Sequence, residues 1–473
     1  MTTLRTTVQS FDLFDTLIAR ACVSPVNLFT EVGCALGVAD FAAARMQAEQ
    51  SVYAASDQFD LTAIYRQLSA IGYCDASLAA RLMAAEVEAE FDNAIPIAEN
   101  IASVRDFDLV VSDMYLPSAT LRGLLQHVGL RRFVHLFVSN VGKHQATIWP
   151  QLTQRWLILR HIGDNAHADV AQPQQFGIAT SHYTGAAQNS TERYLDDMGL
   201  TLVSRIARRL RLANPYVADT LEAELWNSFV TFNVPLLCVS AVAVKRQRTA
   251  CGKRKVLFLS RDCHFLSEVF LSLYPDEPAE LVYVSRNALA ADVDGFARYL
   301  TGHNVAESLV CDIVSTGLSW WRFSQSTAQS IAFFALVHID NHQYQAFDAN
   351  ELLQDPQYQF QAATRTSEID KWSIAIEMLN TADHGATVAL DPVGNDFVPR
   401  FEARHELPSN LLKCLILAQA AAMQSLHTQR HTVRQELAGL SDPDATIATL
   451  VSRLCATDWI NRFADFSICQ PTS

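Results

Sequence analysis

The stretch that decides the fold of the N-terminal part is Phe11-Asp12-Leu13-Phe14-Asp15-Thr16-Leu17, which follows a short apolar lead. A carboxylate at the C-terminal tip of a buried strand can attack phosphorus, and a Thr four residues later can hydrogen-bond the phosphoryl oxygens. We therefore take Asp12 as a candidate nucleophile and Thr16 as a candidate phosphate ligand.

Three later segments place polar residues after short apolar runs. They are Leu109-Val110-Val111-Ser112-Asp113, Phe137-Val138-Ser139 with Lys143 shortly after it, and His161-Ile162-Gly163-Asp164-Asn165-Ala166-His167-Ala168-Asp169. In this order the four segments resemble the four motifs of the haloacid dehalogenase superfamily, over about residues 8–185. The resemblance implies that Asp12 is the nucleophile, that Thr16 and Ser112 bind phosphate, that Lys143 clamps the charge, and that Mg²⁺ is held by Asp12, Asp164 and Asp169.

Phe14 departs from this resemblance. Phosphatases of the superfamily have a second Asp at this place, which protonates the leaving oxygen. Dehalogenases lack that acid and also work without metal, whereas Asp164 and Asp169 have the hard-oxygen character that Mg²⁺ requires. We therefore favour phosphoryl chemistry, with Asp15, Asp113 or a cap residue as the replacement acid. A protein that binds sugar phosphates without turnover remains an alternative.

The segment between the first two motifs, about residues 18–105, is rich in Ala, Leu, Glu and Gln. Its apolar spacing predicts helices over 27–36, 40–53, 61–71 and 75–92. The superfamily places a helical cap over the active site at this point, and caps select substrates and exclude water. The alternative is a helical bundle with no gating role.

Length and composition limit the remaining choices. A chain of 473 residues exceeds what one core supports, and a net charge of −14 argues against nucleic-acid or anionic-membrane partners. Ten cysteines without a Cys-x-x-Cys pair argue against zinc and a disulfide framework, so we expect the reducing cytoplasm. The longest apolar stretch, about 229–244, is interrupted and too short for a bilayer, so no transmembrane segment is expected. The first residues do not show a charged segment followed by a long apolar core, so no signal peptide is expected.

The second half contains the stretch Leu309-Val310-Cys311-Asp312-Ile313-Val314-Ser315-Thr316-Gly317-Leu318-Ser319. Small residues after an apolar strand let successive backbone N–H groups converge on a phosphate, and the strand-end acid can accept hydrogen bonds from sugar hydroxyls. The stretch resembles the PRPP-binding loop of phosphoribosyltransferases, although Cys311 replaces the first of that family's two acids. The implied ligands of PRPP are Asp312, Ser315, Thr316, Gly317 and Ser319.

Two preceding apolar strands end in polar residues, at Ser260-Arg261-Asp262 and at Ser285-Arg286. Strands alternating with helices predict a parallel sheet whose ligands bind at the carboxyl ends of its strands. Arg261 and Arg286 are candidates to grip pyrophosphate, and Asp262 is a candidate to hold Mg²⁺ or to deprotonate an acceptor hydroxyl. The alternative is that these arginines only pair with neighbouring carboxylates.

These segments together resemble a family of two-domain bacterial proteins of polysaccharide assembly, over about residues 8–340. That family implies transfer of 5-phosphoribosyl from PRPP to a glycan acceptor, followed by removal of the 5-phosphate. The expected class is α/β, with two Rossmann-like parallel-sheet domains at 1–185 and 251–473, the first with a helical cap, plus a helical connector at 186–250 and a helical C-terminal tail. A Mg²⁺-dependent sugar phosphatase with an inactive C-terminal binding domain is the runner-up, and the tail is a candidate homodimer contact.

Overall fold

The structure is a computed structural model and describes residues 5–339, 352, 354–366, 376–394, 396–403 and 407–457. Backbone contacts divide the chain into two units. The first comprises Met1–Asn189 and Leu212–Val217, and the second comprises Ser190–Arg211 and Ala218–Ser473. The segment at 186–250 is helical, as predicted, but most of it belongs to the second unit.

The first unit is built on a parallel sheet of five strands in the order β5-β4-β1-β6-β7. A separate antiparallel pair, β2 and β3, forms the stem of the cap. The strands are β1 (Thr6–Phe11), β2 (Ile18–Arg20), β3 (Ala94–Pro96), β4 (Leu109–Asp113), β5 (His135–Ser139), β6 (Trp156–Gly163) and β7 (Ala179–His182).

Four cap helices lie between β2 and β3, within two residues of the predicted boundaries. They are α1 (Pro25–Leu36), α2 (Phe41–Ala55), α3 (Leu61–Ala70) and α4 (Ala76–Asn93). Three of them begin at a capping side chain: Ser24, Asp60 and Asp75 each accept a hydrogen bond from a backbone N–H three residues later. The remaining helices of this unit are α5 (Ala98–Ser103), α6 (Ser118–His127), α7 (Ile148–Arg155) and α8 (Gln172–Gln174).

The second unit contains a second five-stranded parallel sheet in the order β12-β11-β10-β8-β9. Four of its strands were predicted from apolar runs, whereas β12 and an antiparallel hairpin of β13 and β14 were not. The strands are β8 (Lys255–Ser260), β9 (Ala279–Tyr283), β10 (Ser308–Ser315), β11 (Ile331–Ile339), β12 (Tyr358–Thr366), β13 (Thr387–Val393) and β14 (Asp396–Phe401). The expectation of two Rossmann-like sheets is confirmed.

Helices surround this sheet. They are α9 (Ser190–Asp197), α10 (Thr201–Leu212), α11 (Leu221–Ser228), α12 (Val234–Ala250), α13 (His264–Leu273), α14 (Arg286–Ala291), α15 (Val293–Gly302), α16 (Leu318–Thr327), α17 (Ser409–Ala438) and α18 (Pro443–Cys455). The helical run Leu221–Ala250 is long and apolar enough to cross a membrane, yet 89% of its most apolar window is buried inside the protein, as in a core helix. The predicted helical C-terminal tail corresponds to α17 and α18 within the described residues.

Candidate active site

The four motifs of the first unit meet at one edge of its sheet. Asp12 directly follows β1, Ser112 lies near the end of β4, and Asp164 directly follows β6. Because β1 pairs in parallel with both β4 and β6, the carboxyl ends of these strands are neighbours. The sheet therefore brings together residues that are up to about 150 positions apart, as the motif order predicted.

Lys143 bridges two carboxylates at the centre of this edge. Its Nζ donates to Asp12 Oδ1 and, at 2.7 Å, to Asp169 Oδ1, and all three side chains are at most 8% exposed. His161 Nε2 lies 3.0 Å from the same Asp169 oxygen, and its Nδ1 is hydrogen-bonded to Ser10 Oγ. A buried cation shared by two carboxylates offsets their mutual repulsion and fixes both in place.

Asp169 lies in a π-helical turn, Ala166–Ala171, which aims its carboxylate back at β6. Asn165 starts the turn, because its side-chain oxygen accepts hydrogen bonds from the backbone N–H groups of His167 and Ala168. The Asn165 backbone N–H in turn donates to Asp169 Oδ2 at 3.1 Å. Turns of this kind are frequent at functional sites, where they redirect a side chain.

Three carboxylates converge where a metal ion would lie. One ligand oxygen from each of Asp12, Asp164 and Asp169 comes within 4.8 Å of the others. Oxygen donors of this kind are those that Mg²⁺ takes in phosphoryl-transfer sites. The three predicted metal ligands therefore form a set that fits a hard divalent cation, and the identity of the ion stays a prediction.

The pKa values of these acids reflect their crowding. Burial raises the pKa of Asp12 to about 7 against the attraction of Lys143, with the charges of Asp169 and Asp164 adding to the rise. Burial, together with the charges of Asp15 and Asp169, raises the pKa of Asp164 to about 6. Burial also opposes ionisation of Asp169, but the His161 hydrogen bond and Lys143 outweigh it and lower its pKa to about 2. A bound cation would relieve this repulsion.

The two predicted phosphate hydroxyls differ in position. Ser112 is 2% exposed and lines the cavity beside Asp12. Thr16 is fully buried, does not line that cavity, and has an Oγ1 without a hydrogen-bond partner in the described part of the chain. A buried hydroxyl without a partner is costly, and the predicted phosphate contact of Thr16 stays a prediction.

Asp113 is held in place by hydrogen bonds from three donors. Its carboxylate accepts from Ser139 Oγ at 2.6 Å and from the backbone N–H groups of Lys143 and His144 at 3.0–3.1 Å. These contacts make Asp113 the anchor of the loop that carries Lys143, and its role as the replacement acid stays a prediction.

The cap and the sheet edge enclose a cavity of about 500 Å³. Asp12, Lys143 and Asp164 line its floor, and Glu49, Tyr53 and Phe59 line it from the cap. Asp15 also lines it, from a turn in which its φ is 54° and its N–H donates to Ile18 O at 2.6 Å. The inserted helices therefore form a wall of the site, as a cap does.

The predicted phosphate loop of the second unit connects β10 to α16. Gly317 precedes the first residue of α16 with a φ of 75°, and its N–H donates to Ser315 Oγ at 3.2 Å. Leu318 N–H donates to Thr316 Oγ1 at 3.4 Å, and Ser319 lies in the first turn of α16. A helix N-terminus after small residues is a suitable place for a phosphate group.

The predicted strand-end residues gather beside this loop. Arg261 and Asp262 follow β8, after a cis peptide bond between Ser260 and Arg261. Burial, together with the charge of Asp262, raises the pKa of Asp312 to about 7, and Arg286 acts in the opposite direction. Arg261 Nε lies 3.7 Å from Asp262 Oδ1, so this arginine does pair with a neighbouring carboxylate. Arg286 is the first residue of α14 rather than the end of β9, because Ser285 caps that helix.

Sequence inspection missed two residues of this cluster. Burial and the charge of Asp262 raise the pKa of Glu377 to about 8, so Glu377 shares the electrostatic environment of Asp312. His384 Nε2 lies 3.1 Å from Ser260 Oγ, and its ring stacks on Phe401 at 4.2 Å between centroids. The available signal for Glu377 was a lone acid within the apolar run Ile374-Ala375-Ile376-Glu377-Met378-Leu379.

A scan against models of known protein families finds no match to this chain, and a search of curated proteins finds none either.

Proposed function

We propose that this protein is a bifunctional ribofuranosyltransferase, which moves 5-phosphoribosyl from PRPP to a glycan acceptor and then removes the 5-phosphate. The observation that carries the phosphatase half is the buried contact of Lys143 with Asp12 and Asp169, beside Asp164. The transferase half is supported by the loop from Asp312 to Ser319 and by the charged residues that surround it.

In the phosphatase step, an Asp12 carboxylate oxygen attacks phosphorus and the bond from phosphorus to the sugar oxygen breaks. The leaving oxygen takes a proton from Asp15 or from water. Water then attacks the aspartyl phosphate, the bond between phosphorus and the Asp12 oxygen breaks, and inorganic phosphate and the Asp12 carboxylate result. Lys143 holds Asp12 in place, and Ser112 donates to a phosphoryl oxygen. A Mg²⁺ ion held by the three aspartates would neutralise phosphoryl charge and keep Asp12 ionised.

In the transferase step, an acceptor hydroxyl oxygen bonds to C1 of ribose while the bond from C1 to pyrophosphate breaks. The hydroxyl proton passes to a carboxylate, for which Asp262 is our candidate. Arg261 and Arg286 stabilise the negative charge that develops on the leaving pyrophosphate. The acid Asp312 accepts hydrogen bonds from the ribose hydroxyls.

Linking both activities in one chain has a chemical advantage. The transfer product still carries a 5-phosphate, and its hydrolysis makes the sequence irreversible. A tethered phosphatase also meets this product at a raised effective concentration. The nine cysteines of the described residues are free thiols, in keeping with the reducing cytoplasm where we expect the reaction.

The runner-up function is a Mg²⁺-dependent sugar phosphatase with an inactive C-terminal binding domain. Cys311 favours it, because this residue stands where the first acid of a PRPP loop is expected and is fully buried in β10. Such a protein would release phosphate from sugar phosphates and would not consume PRPP.

The test is to incubate the full chain with PRPP, Mg²⁺ and candidate glycosides, and to follow pyrophosphate and phosphate separately. Asp12→Asn should abolish phosphate release and leave pyrophosphate release intact, so that a 5-phosphorylated glycoside accumulates. Asp312→Asn should suppress pyrophosphate release and leave hydrolysis of a supplied 5-phosphoribosyl glycoside intact. Asp57→Asn, at an exposed cap position, is the matched control. Phosphate release without any pyrophosphate release would favour the runner-up.

A further inference from the structure

We propose that the cavity over Asp12 selects phosphate monoesters of neutral, hydroxyl-bearing sugars, and that Glu49 rejects esters that carry a second phosphate group. This inference rests on the proposed phosphatase activity and deepens it. It concerns the part of the cavity that contacts the leaving group, opposite the phosphate-binding floor.

The charge of the cavity wall is the first observation. Six carboxylate residues line the cavity, and they are Asp12, Asp15, Glu49, Asp113, Asp164 and Asp169. Within the lining, all of which the structure describes, the lysines and arginines are Arg20 and Lys143. Glu90 binds Arg20 through two hydrogen bonds of 2.8 Å, and Lys143 is bound by Asp12 and Asp169. One metal ion and Lys143 can offset one phosphoryl group, whereas a second phosphate would meet carboxylates.

The position of Glu49 is fixed by the cap core. Arg45, which is fully buried, donates to Glu49 Oε2 at 2.7 Å and holds Glu86 through hydrogen bonds of 2.8 and 2.9 Å. Tyr65 Oη also donates to Glu86, at 2.7 Å. Glu49 itself is 33% exposed and lines the cavity, so one end of this network presents a negative charge to the substrate. A fixed like charge is an effective means of excluding a wrong ligand.

The remaining wall suits a sugar. Tyr115 is 9% exposed and lines the cavity, and its Oη has no hydrogen-bond partner within the described residues. Tyr53 and Phe59 meet edge to face at 6.3 Å, and Asn140 fixes Phe59 by hydrogen bonds of 3.0 and 2.9 Å to its backbone. Aromatic faces accept the C–H face of a sugar, while Glu49 and Tyr115 can hydrogen-bond its hydroxyl groups.

In the proposed reaction, this selectivity prevents the phosphatase half from hydrolysing the donor, PRPP. PRPP carries the same 5-phosphate monoester as the transfer product, and it differs by its charged pyrophosphate. A phosphatase that accepted both would destroy the donor before transfer. Rejection of the second phosphate by Glu49 lets hydrolysis follow transfer.

The experiment compares phosphate release by the full chain with Mg²⁺ from two matched pairs, fructose 6-phosphate against fructose 1,6-bisphosphate and ribose 5-phosphate against PRPP. We expect kcat/KM to favour the monophosphate by about tenfold or more. Glu49→Gln keeps an acceptor for Arg45. It should narrow the ratio of the two kcat/KM values severalfold, because kcat/KM for fructose 1,6-bisphosphate and for PRPP should rise. Glu88→Gln, at an exposed position of α4, is the control and should leave the ratio unchanged. Raising the ionic strength should narrow the wild-type ratio without any substitution.

The outcomes are distinguishable. Equal rates on both members of each pair would overturn the inference and leave the proposed phosphatase standing. A selective wild type whose ratio responds neither to Glu49→Gln nor to salt would overturn the role of Glu49. Absence of phosphate release from every ester, including the transferred product, would overturn the proposed function and this inference with it.

Discussion

The guanidinium carbon of Arg20 lies 4.0 Å from the centroid of the Phe14 ring. Glu90 holds Arg20 through two hydrogen bonds of 2.8 Å, and both charged side chains are at most 5% exposed. Phe14 therefore lies against a buried ion pair at the stem of the cap, at the position where the superfamily resemblance would predict an acid. The aromatic ring has a structural role there, through a cation–π contact that is strengthened by burial.

Phe14→Asp should fail to restore that acid. The new carboxylate would meet Arg20, which favours its ionised form, and an ionised carboxylate cannot donate a proton. We expect no gain in phosphate release from sugar phosphates, and a free energy of unfolding lower by about 2–4 kcal/mol. The assay compares a sugar phosphate with p-nitrophenyl phosphate, whose leaving group needs no proton. Phe14→Leu is the control, and a selective gain on the sugar phosphate in Phe14→Asp would contradict this prediction.

The sequence predicted those parts of the site that follow a strand, because a buried parallel strand is an apolar run and its polar ending is local. Asp12 and Ser112 were predicted in this way, whereas Asp164, Asp169 and Lys143 were predicted from the superfamily resemblance. It did not reveal the partners contributed by distant elements, since Glu90 is 70 residues from Arg20 and no local pattern pairs them. Asp113 shows the same limit. Its position made it a candidate acid, but its carboxylate accepts hydrogen bonds from Ser139 at the end of β5 and from the loop after β5.

The second unit illustrates another limit. Strand β12 alternates polar and apolar residues and contains Gln359, Gln361 and Arg365, so its pattern is weaker than the apolar runs of β10 and β11. Glu377 lies outside any recognisable motif. Its membership of the charged cluster follows from tertiary packing, which composition and spacing do not encode locally.

Gly163→Ala tests the position of Asp169. A Cβ at residue 163 would lie 2.4 Å from Asp169 Cγ and 2.6 Å from its Oδ2, so the carboxylate must leave its present position, where it contacts Lys143 and His161. Displacement of a catalytic group by about 1 Å can cost about 100-fold in rate, and we expect a loss of that order in phosphate release. Calorimetry should show weaker Mg²⁺ binding as well. Gly302→Ala, where a Cβ meets nothing within 4 Å, is the control. Normal metal affinity and rate in Gly163→Ala would show that Asp169 is not required at its present position.

Asp312→Asn tests whether the second site is built at a cost in stability. Burial raises the pKa of Asp312 from 3.8 to about 7. Between these values the folded protein keeps a proton that the unfolded chain has lost, so this group's contribution to stability falls as pH rises from about 4 to about 7. Asn does not titrate, so the Asn variant does not lose this stability as the pH rises. Its unfolding temperature should match that of the wild type near pH 4 and should be about 2–4 °C higher at pH 8.

Thermal unfolding of the full chain at both pH values measures this difference. Asp276→Asn, at an exposed position, is the control and should show no such pH-dependent gain. A variant that is less stable than the wild type at pH 8 would mean that the Asp312 carboxylate stabilises the fold. The stability gain should coincide with loss of pyrophosphate release, the pattern expected where a residue is kept for function.

Gly317→Ala tests the phosphate loop. Gly317 has a φ of 75°, and a Cβ there would lie 2.7 Å from Phe360 Cε2 and 3.3 Å from Tyr358 Oη. Tyr358 Oη donates to Gly317 O at 2.9 Å, so the loop backbone has little room to move away. A left-handed alanine costs about 1–2 kcal/mol, and the overlap with Phe360 adds displacement of the N–H groups that would bind phosphate. We expect PRPP affinity to fall by about tenfold or more, measured by calorimetry with Mg²⁺, and Gly317→Val to be worse.

The matched control is Gly394→Ala, which has a φ of 65° and nothing within 4 Å of a new Cβ. Its alanine at positive φ should lower the free energy of unfolding by an amount comparable to that in Gly317→Ala, while PRPP affinity stays unchanged. The comparison separates backbone strain from displacement of the loop. Adding Phe360→Leu to Gly317→Ala removes the overlapping ring atoms and should recover part of the binding. Both Gly317 variants should still release phosphate from a supplied 5-phosphoribosyl glycoside, because Asp12 and its partners belong to the other unit. If Gly317→Val binds PRPP and transfers ribose normally, the loop after β10 is not the phosphate site, and the phosphatase-only function takes the place of the bifunctional one.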